Sequence, residues 1–189
     1  DSNHTLVANF GPGSRRFVIE VESFDSVASQ TTFEAAGPWA LAGAAGMDAL
    51  ETVASGGEAL YAGSLVQWGD GTDAFVGKRI ELPSPGTYDV YVWTYRDEKN
   101  RSFQVQILSL LAGLAGGVVG AALPDGSTES GLYLEKLGSF TLDEQDTQSL
   151  IIELGKMDAT AHVPVCDAIL FAPAGNPLDG EPFLPTTLW

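Results

Sequence analysis

With 189 residues, 44% hydrophobic and only 18% charged, the chain has the make-up of one globular domain with a real core. Nine Lys plus Arg against 25 Asp plus Glu leave a formal charge of −16, which excludes the basic face that nucleic acid or an anionic membrane surface requires. The same acidity suits a secreted protein in salty or calcium-containing water, where repulsion is screened.

Twenty-two glycines and ten prolines are spread along the whole length, which points to many short elements joined by turns. Residues 1–14 read as a loose arm broken by Gly11, Pro12 and Gly13. The arm starts at Asp1 without a charged n-region or an apolar h-region, so the expectation is a cytosolic fragment, a processed form or an excised domain. RRFVIEVESF then predicts a first strand over 16–24. Its alternation places Ile19, Val21 and Ser23 on one face and Val18, Glu20, Glu22 and Phe24 on the other. Two adjacent carboxylates on one face repel unless water, a cation or a shared proton separates them.

From 27 to 61 the pattern weakens to loop, with a possible short helix at 46–54 and a strand at 58–62. Clearer strands follow at 64–68 and 75–82, on either side of a GDGTD turn. PSPG is turn chemistry, and TYDVYVWTY (87–95) alternates best of all. There Tyr88, Val90, Val92 and Thr94 face one way, and Tyr91, Trp93 and Tyr95 the other. After the polar loop RDEKN comes a strand at 102–110. The apolar stretch ILSLLAGLAGGVVGAAL (107–123) is uncharged, yet it holds four glycines and is only 17 residues long. That is the short limit for a spanning helix, so a membrane span is rejected. It reads instead as an extra buried strand pair or an exposed apolar flap; a large flap would be an interaction surface, packing on a catalytic domain of the same polypeptide or on another copy. Strands at 132–142, 148–155 and 163–172 complete the pattern, and a Pro-rich tail (173–189) reads as a linker or wrap. Cys166, the single cysteine, rules out an intrachain disulfide, and its apolar setting marks a buried hydrophobe. Eight or so strands with no helical crossover imply an all-β fold: an antiparallel β-sandwich or jelly roll, one domain over 1–189 with its core at about 16–172.

Three segments, VIEVESF, LPSPGTYDVYVWT and VCDAILFAP, together resemble the galactose-binding-like β-sandwich modules of carbohydrate-active enzymes. The likeness is to carbohydrate-binding module families six and thirty-five and to golvesin C-terminal-like, xanthan-lyase-associated domains. It spans roughly residues 17–172. The resemblance implies that two glutamates of the first strand and an aspartate of the last hold a structural calcium; Glu20, Glu22 and Asp167 match those positions. Alternation in the closing strand sets Asp167 among Val163, Val165, Ile169 and Phe171, an acid within an apolar row. Calcium takes six to eight oxygens at about 2.3–2.6 Å, and carbonyls near the GDGTD turn could complete such a shell. The alternative for the same residues is that Glu20 and Glu22 face solvent beside Arg16 or Lys136 and Asp167 caps a turn.

No catalytic set stands out. His4 and His162 lack zinc spacing, and there is no HExxH, nucleophile elbow or phosphate loop. The acid pairs Asp70/Asp73 and Asp97/Glu98 read as solvated turn acids. A jelly-roll polysaccharide lyase could cast Tyr95, Arg96, Lys99 and Arg101 as proton-abstracting and uronate-neutralising groups, but they crowd one hairpin loop. Sugar sites need flat aromatic faces and fork-like polar groups. Trp39, Trp68, Trp93 and Tyr95, with Arg96 and Arg101, are the candidates; the alternative is that the 27–61 segment or the tail covers these aromatics. The leading expectation is a secreted, non-catalytic, calcium-stabilised module that tethers an appended catalytic domain of the same polypeptide to a polysaccharide. The second is a structural or interaction domain of the same fold.

Overall fold

The computed structural model describes residues 5–9, 15–21, 39–41, 60–62, 75–99, 101–109, 113–123, 131–156 and 164–175. Eleven strands and one helical turn are found among them. In chain order they are β1 (Thr5–Asn9), β2 (Arg15–Glu20), β3 (Trp39–Leu41), β4 (Leu60–Ala62), β5 (Phe75–Ile80), β6 (Gly86–Arg96), β7 (Phe103–Leu108), β8 (Gly113–Val119), β9 (Gly131–Leu142), α1 (Glu144–Thr147), β10 (Leu150–Lys156) and β11 (Val165–Pro173). The expected all-β sandwich is what forms. A seven-stranded antiparallel sheet faces a four-stranded one in the order β5-β10-β7-β8.

The centre of the larger sheet is β11, which pairs with β2 along one edge and β6 along the other. β1 lies outside β2, and β9 outside β6. A short β3–β4 ribbon continues the β2 edge where Cys166 meets Leu60. Between the sheets lies the main core: Phe17, Ile19 and Val21 from the first carboxylate strand and its end, Tyr88, Val90 and Val92 from β6, Phe103, Val105 and Ile107 from β7, and Ile152 and Leu154 from β10. Burying each such aliphatic or aromatic side chain contributes roughly 1.5–3 kcal/mol. The Tyr88 ring stands edge-on to Phe17 and Phe171 with centroids 6.2 Å apart in both pairs, while its hydroxyl donates to the Ser84 carbonyl at 2.7 Å. A core tyrosine thus keeps its polar tip satisfied.

Three sequence expectations change. Residues 5–9, expected as part of a loose arm, pair with β2 in register from Thr5↔Ile19 to Asn9↔Arg15, because the uncharged TLVAN, without Gly or Pro, offers a ladder to an otherwise open edge. The 107–123 stretch, expected as a buried strand pair or an exposed flap, forms a strand pair that is only partly buried: Gly113–Val119 pairs with β7 as the outermost strand of the smaller sheet, with Val119 inside and Val118 exposed. Among the described residues no helix is long and apolar enough to cross a membrane. The closing strand does not alternate simply, since its register with β6 shifts between Cys166 and Ile169. Cys166 consequently joins Ile169 and Phe171 in the main core, while Ala168, Leu170 and Ala172 enter a second cluster. Such a shift adds a residue to one strand and breaks the period of two. The sequence-expected helix at 46–54 and strand at 64–68 lie outside the described residues.

Candidate functional site

Strand register decides which candidate residues can meet. Cys166 is opposite Thr94 on one side and Leu60 on the other; Leu60 is opposite Leu41, Trp39 is opposite Ala62, and Ala168 is opposite Glu20. Tyr95 and Arg96 pair with Leu132 and Gly131 at the start of β9. One end of the larger sheet therefore gathers the finish of β2 and β6, the start of β9 and β11, and the β3–β4 ribbon. The smaller sheet reaches the same end, because the Arg101 N–H donates to the Gly120 carbonyl at 3.1 Å and the Gly120 N–H to Glu135 Oε1 at 3.1 Å.

Two arginines organise this end. Arg101, 8% exposed, donates from Nε to Asp97 Oδ1 at 3.0 Å and from Nη2 to Asp97 Oδ2 at 2.7 Å. Its guanidinium also lies 5.4 Å from the centre of the Tyr95 ring. The Lys99 N–H caps the same Asp97 oxygen at 2.9 Å, an Asx turn that closes the 97–101 loop. Burial alone would raise the Asp97 carboxyl. The hydrogen bonds from Arg101 and the Lys99 N–H, with the charge of Arg101, outweigh it and hold the group below its ordinary value. Arg96 is more open. It donates from Nε to the Ala121 carbonyl at 2.8 Å and from Nη2 to the Ala122 carbonyl at 3.3 Å, with Glu135 Oε1 at 3.5 Å and the Tyr133 ring centre at 5.6 Å. About a fifth of each side chain of the Arg96–Glu135 pair reaches solvent (22% and 20%). Gly120 makes this closeness possible. Its φ is +80°, and a Cβ there would stand 2.7 Å from the Arg101 carbonyl oxygen.

The acidic candidates fall on paired strands. Glu20 is half-buried at the end of β2, and Asp167, 2% exposed, is one residue along β11 from the partner of Glu20. Both have polar interactions within the chain. Glu22 lies outside the described residues, and among those described no group of three His, Cys, Asp or Glu side chains is placed to hold a metal ion. Carboxylates on neighbouring strand positions are the hard oxygen donors that calcium takes, so the chemistry of this pair fits that ion.

The aromatic candidates divide. Trp93 points away from the main core as alternation requires, yet it is 3% exposed, packed in the second apolar cluster with Val18, Tyr91, Ala168, Leu170 and Ala172. It offers no open face there. Tyr95 is half-buried at the strand end. For Trp39 only the strand position is described, and Trp68 is outside the described residues. On the same outer face Lys136 Nζ lies 3.0 Å from Asp89, which also accepts from the Ser139 hydroxyl. Sequence reading missed Asp97, Gly120, Tyr133 and Glu135 as partners of the two arginines. Sequence alone presents Asp97 as a solvated turn acid, although the spacing Asp-x-x-x-Arg with a tight turn between is a usable signal. Glu135 could not be found that way, since the register shift after Val90 alters the face on which β9 residues lie.

No family model and no curated protein matches the chain. Solved structures give distant likenesses. The K1 cleaved adhesin domain of Lys-gingipain from Porphyromonas gingivalis W83 is 11% identical with a TM-score of 0.44, covering 85% of this chain and 99% of that one. The isomalto-dextranase of Arthrobacter globiformis T6, solved with panose, is 18% identical with a TM-score of 0.37, covering 61% of this chain and 18% of that one. The match thus spans less than a fifth of that enzyme. The Stig cyclase Fisc of Fischerella sp. TAU is 13% identical with a TM-score of 0.41, covering 90% and 81%. Carbohydrate-active and adhesin domains are thus among the neighbours, at a distance that carries no function by itself.

Proposed function

We propose that this chain is a non-catalytic carbohydrate-binding β-sandwich, secreted, which holds an appended catalytic domain of the same polypeptide at a polysaccharide. The observation that supports this reading most is the register of β2, β6 and β11. It brings the acidic strand end (Glu20, Asp167), the β3 strand bearing Trp39 and the Tyr95–Arg96 corner to one end of the larger sheet. Recognition at strand ends and loops is how a rigid sandwich presents variable chemistry. In this reading Glu20 and Asp167, with Glu22, hold a structural calcium, whose charge would offset carboxylate repulsion and pin the first strand to the last. Tyr95, Trp39 and Trp68 supply flat apolar surface for a pyranose. Arg96, the more open of the two arginines, reads a hydroxyl or carboxylate at the rim; Arg101 fixes the loop through Asp97. The Arg101 pairing with Asp97 weighs against the lyase alternative, which needs that guanidinium on the substrate.

A glycan panel probed with and without a calcium chelator, alongside a thermal melt in both conditions, tests the reading. Expected are retention on at least one polysaccharide without turnover, retention at least about tenfold weaker for Trp68→Ala or Trp39→Ala, and a lower melting temperature in chelator. Absence of retention across a broad panel overturns sugar binding. An unchanged melt overturns the calcium while leaving the sugar assignment to the panel.

A further inference from the structure

The inward face of β6 changes character at its end. Val92 belongs to the main core, Thr94 is wholly buried, and Arg96 is the next side chain on that face. Directly opposite these three on β9 stand Glu135, Tyr133 and Gly131, and opposite residues of an antiparallel pair share a face. Arg96, Tyr133 and Glu135 therefore sit at the mouth of the gap between the two sheets. Gly120, Ala121 and Ala122, which follow β8, form the other lip.

This mouth is held in place without being filled. Arg96 spends Nε and Nη2 on the Ala121 and Ala122 carbonyls, and Glu135 spends Oε1 on the Gly120 N–H. Among the described residues these bonds leave Arg96 Nη1 and Glu135 Oε2 unused, on side chains that both reach solvent. The Tyr133 ring, 5.6 Å from the guanidinium carbon, fixes where the fork lies. Across from Arg96, Gly131 has no described atom within 4 Å of where a Cβ would stand. There is thus open room beside an unused donor and an unused acceptor.

We propose that Arg96 and Glu135 act as a donor–acceptor pair that binds two neighbouring hydroxyls of a neutral sugar, with the sugar ring lodged over Gly131; this rests on the carbohydrate-binding reading above and narrows it. Two adjacent hydroxyls supply what the pair lacks, since one accepts from Nη1 and the other donates to Oε2. A uronate or sulfate fits worse. Each guanidinium at this end already has its own carboxylate, Arg96 with Glu135 and Arg101 with Asp97. Neither has charge left over for a polyanion, and a chain of charge −16 repels one. Tyr133 is a positioning residue, acting through the guanidinium.

Retention of the full chain on neutral polymers (starch, galactomannan, mixed-linkage β-glucan) and on acidic ones (alginate, polygalacturonate) tests this. Retention is expected on at least one neutral polymer and should be at least about tenfold weaker on the acidic ones. Periodate oxidation of the retaining polymer, which cleaves the bond between neighbouring hydroxyl carbons, should remove it. Glu135→Gln and Arg96→Lys should each weaken retention about tenfold or more. Gly131→Leu, whose added Cβ meets no described atom, should do the same at an unchanged melting temperature, which separates a blocked mouth from a damaged domain. Tighter retention on the acidic polymers, retention that outlasts periodate, or a neutral-polymer affinity unmoved by both Glu135→Gln and Gly131→Leu overturns this pair while leaving sugar binding in place. Retention on none of the polymers overturns the carbohydrate-binding reading, and this inference with it.

Discussion

The two sheets contribute one inner strand each to the middle of the sandwich, and these strands are buried differently. β7 alternates, with Phe103, Val105 and Ile107 wholly inside and Gln104, Gln106 and Leu108 half-exposed. β6 is buried without a break from Tyr88 to Thr94. Its inward face feeds the main core and its outward face feeds the second cluster. β7 thus has one wet side, whereas β6 is covered on both. The difference teaches where recognition can reside. An aromatic in the middle of β6 serves packing, and side chains meant for a ligand belong at strand ends, where Tyr95 and Arg96 leave the covered zone.

The strongest way to break this comparison is Trp93→Ala. If the outward face of β6 is true interior, the loss should be about 3–5 kcal/mol in a denaturant titration. A loss under about 1 kcal/mol would mean that the tryptophan is surface and the two strands are alike. Next in size is Arg101→Ala, which leaves the Asp97 carboxylate largely buried without its fork and should cost roughly 3 kcal/mol. Acid sharpens that test. Asp97 and Asp89 both titrate below the ordinary value of 3.8. For Asp89 the Ser139 hydrogen bond is the largest cause; burial opposes it, and the contact with Lys136 lowers the group further. Folded values depressed in this way contribute stability that is whole above the ordinary value and drains away as pH falls through the lower folded ones. Melting temperatures taken from pH 7 to pH 3 should therefore fall in the wild type, and fall less in Arg101→Ala, where Asp97 has lost its main reason to stay ionised. Gly120→Ala comes third, at about 1–3 kcal/mol for a left-handed backbone position, with the Arg101 carbonyl forced to move. The smallest effect is expected on the wet side of β7, where Gln104→Ala should change unfolding free energy by about 0.5 kcal/mol or less.

Local pattern and long-range cover differ in how far a sequence reveals them. The division of TYDVYVWTY into a Val90/Val92 face and a Tyr91/Trp93 face is legible because strand periodicity is local. That the second face is covered is not legible, because the cover comes from residues far away in the chain. The same holds for β8. Its glycines hide the alternation that would mark a strand, and its role as an edge follows only from pairing with β7. β1 is not legible either, because five residues with no flanking turn signal on one side carry little weight. In the closing strand the period of two carried Asp167 into the row of Ile169 and Phe171, and a single register shift undid it. Of the candidate site, the pairing of the first acidic strand with the last was legible through the resemblance. The arginine partners Glu135 and Gly120 were not, as they join two sheets across 15 to 39 residues of chain.

One further property comes from the place of β11 in the larger sheet. It is the middle strand, bonded to β2, β4 and β6, and it follows all three in the order of synthesis. On the ribosome, β2 and β6 each wait with one flank unpaired until residues 165–173 have emerged, and only then are they joined. Non-local closure of this kind is slow and leaves the nascent chain exposed to misassembly. Holdase chaperones should matter most before β11 emerges, and removal of its nine residues would forfeit the whole sheet, not merely its rim.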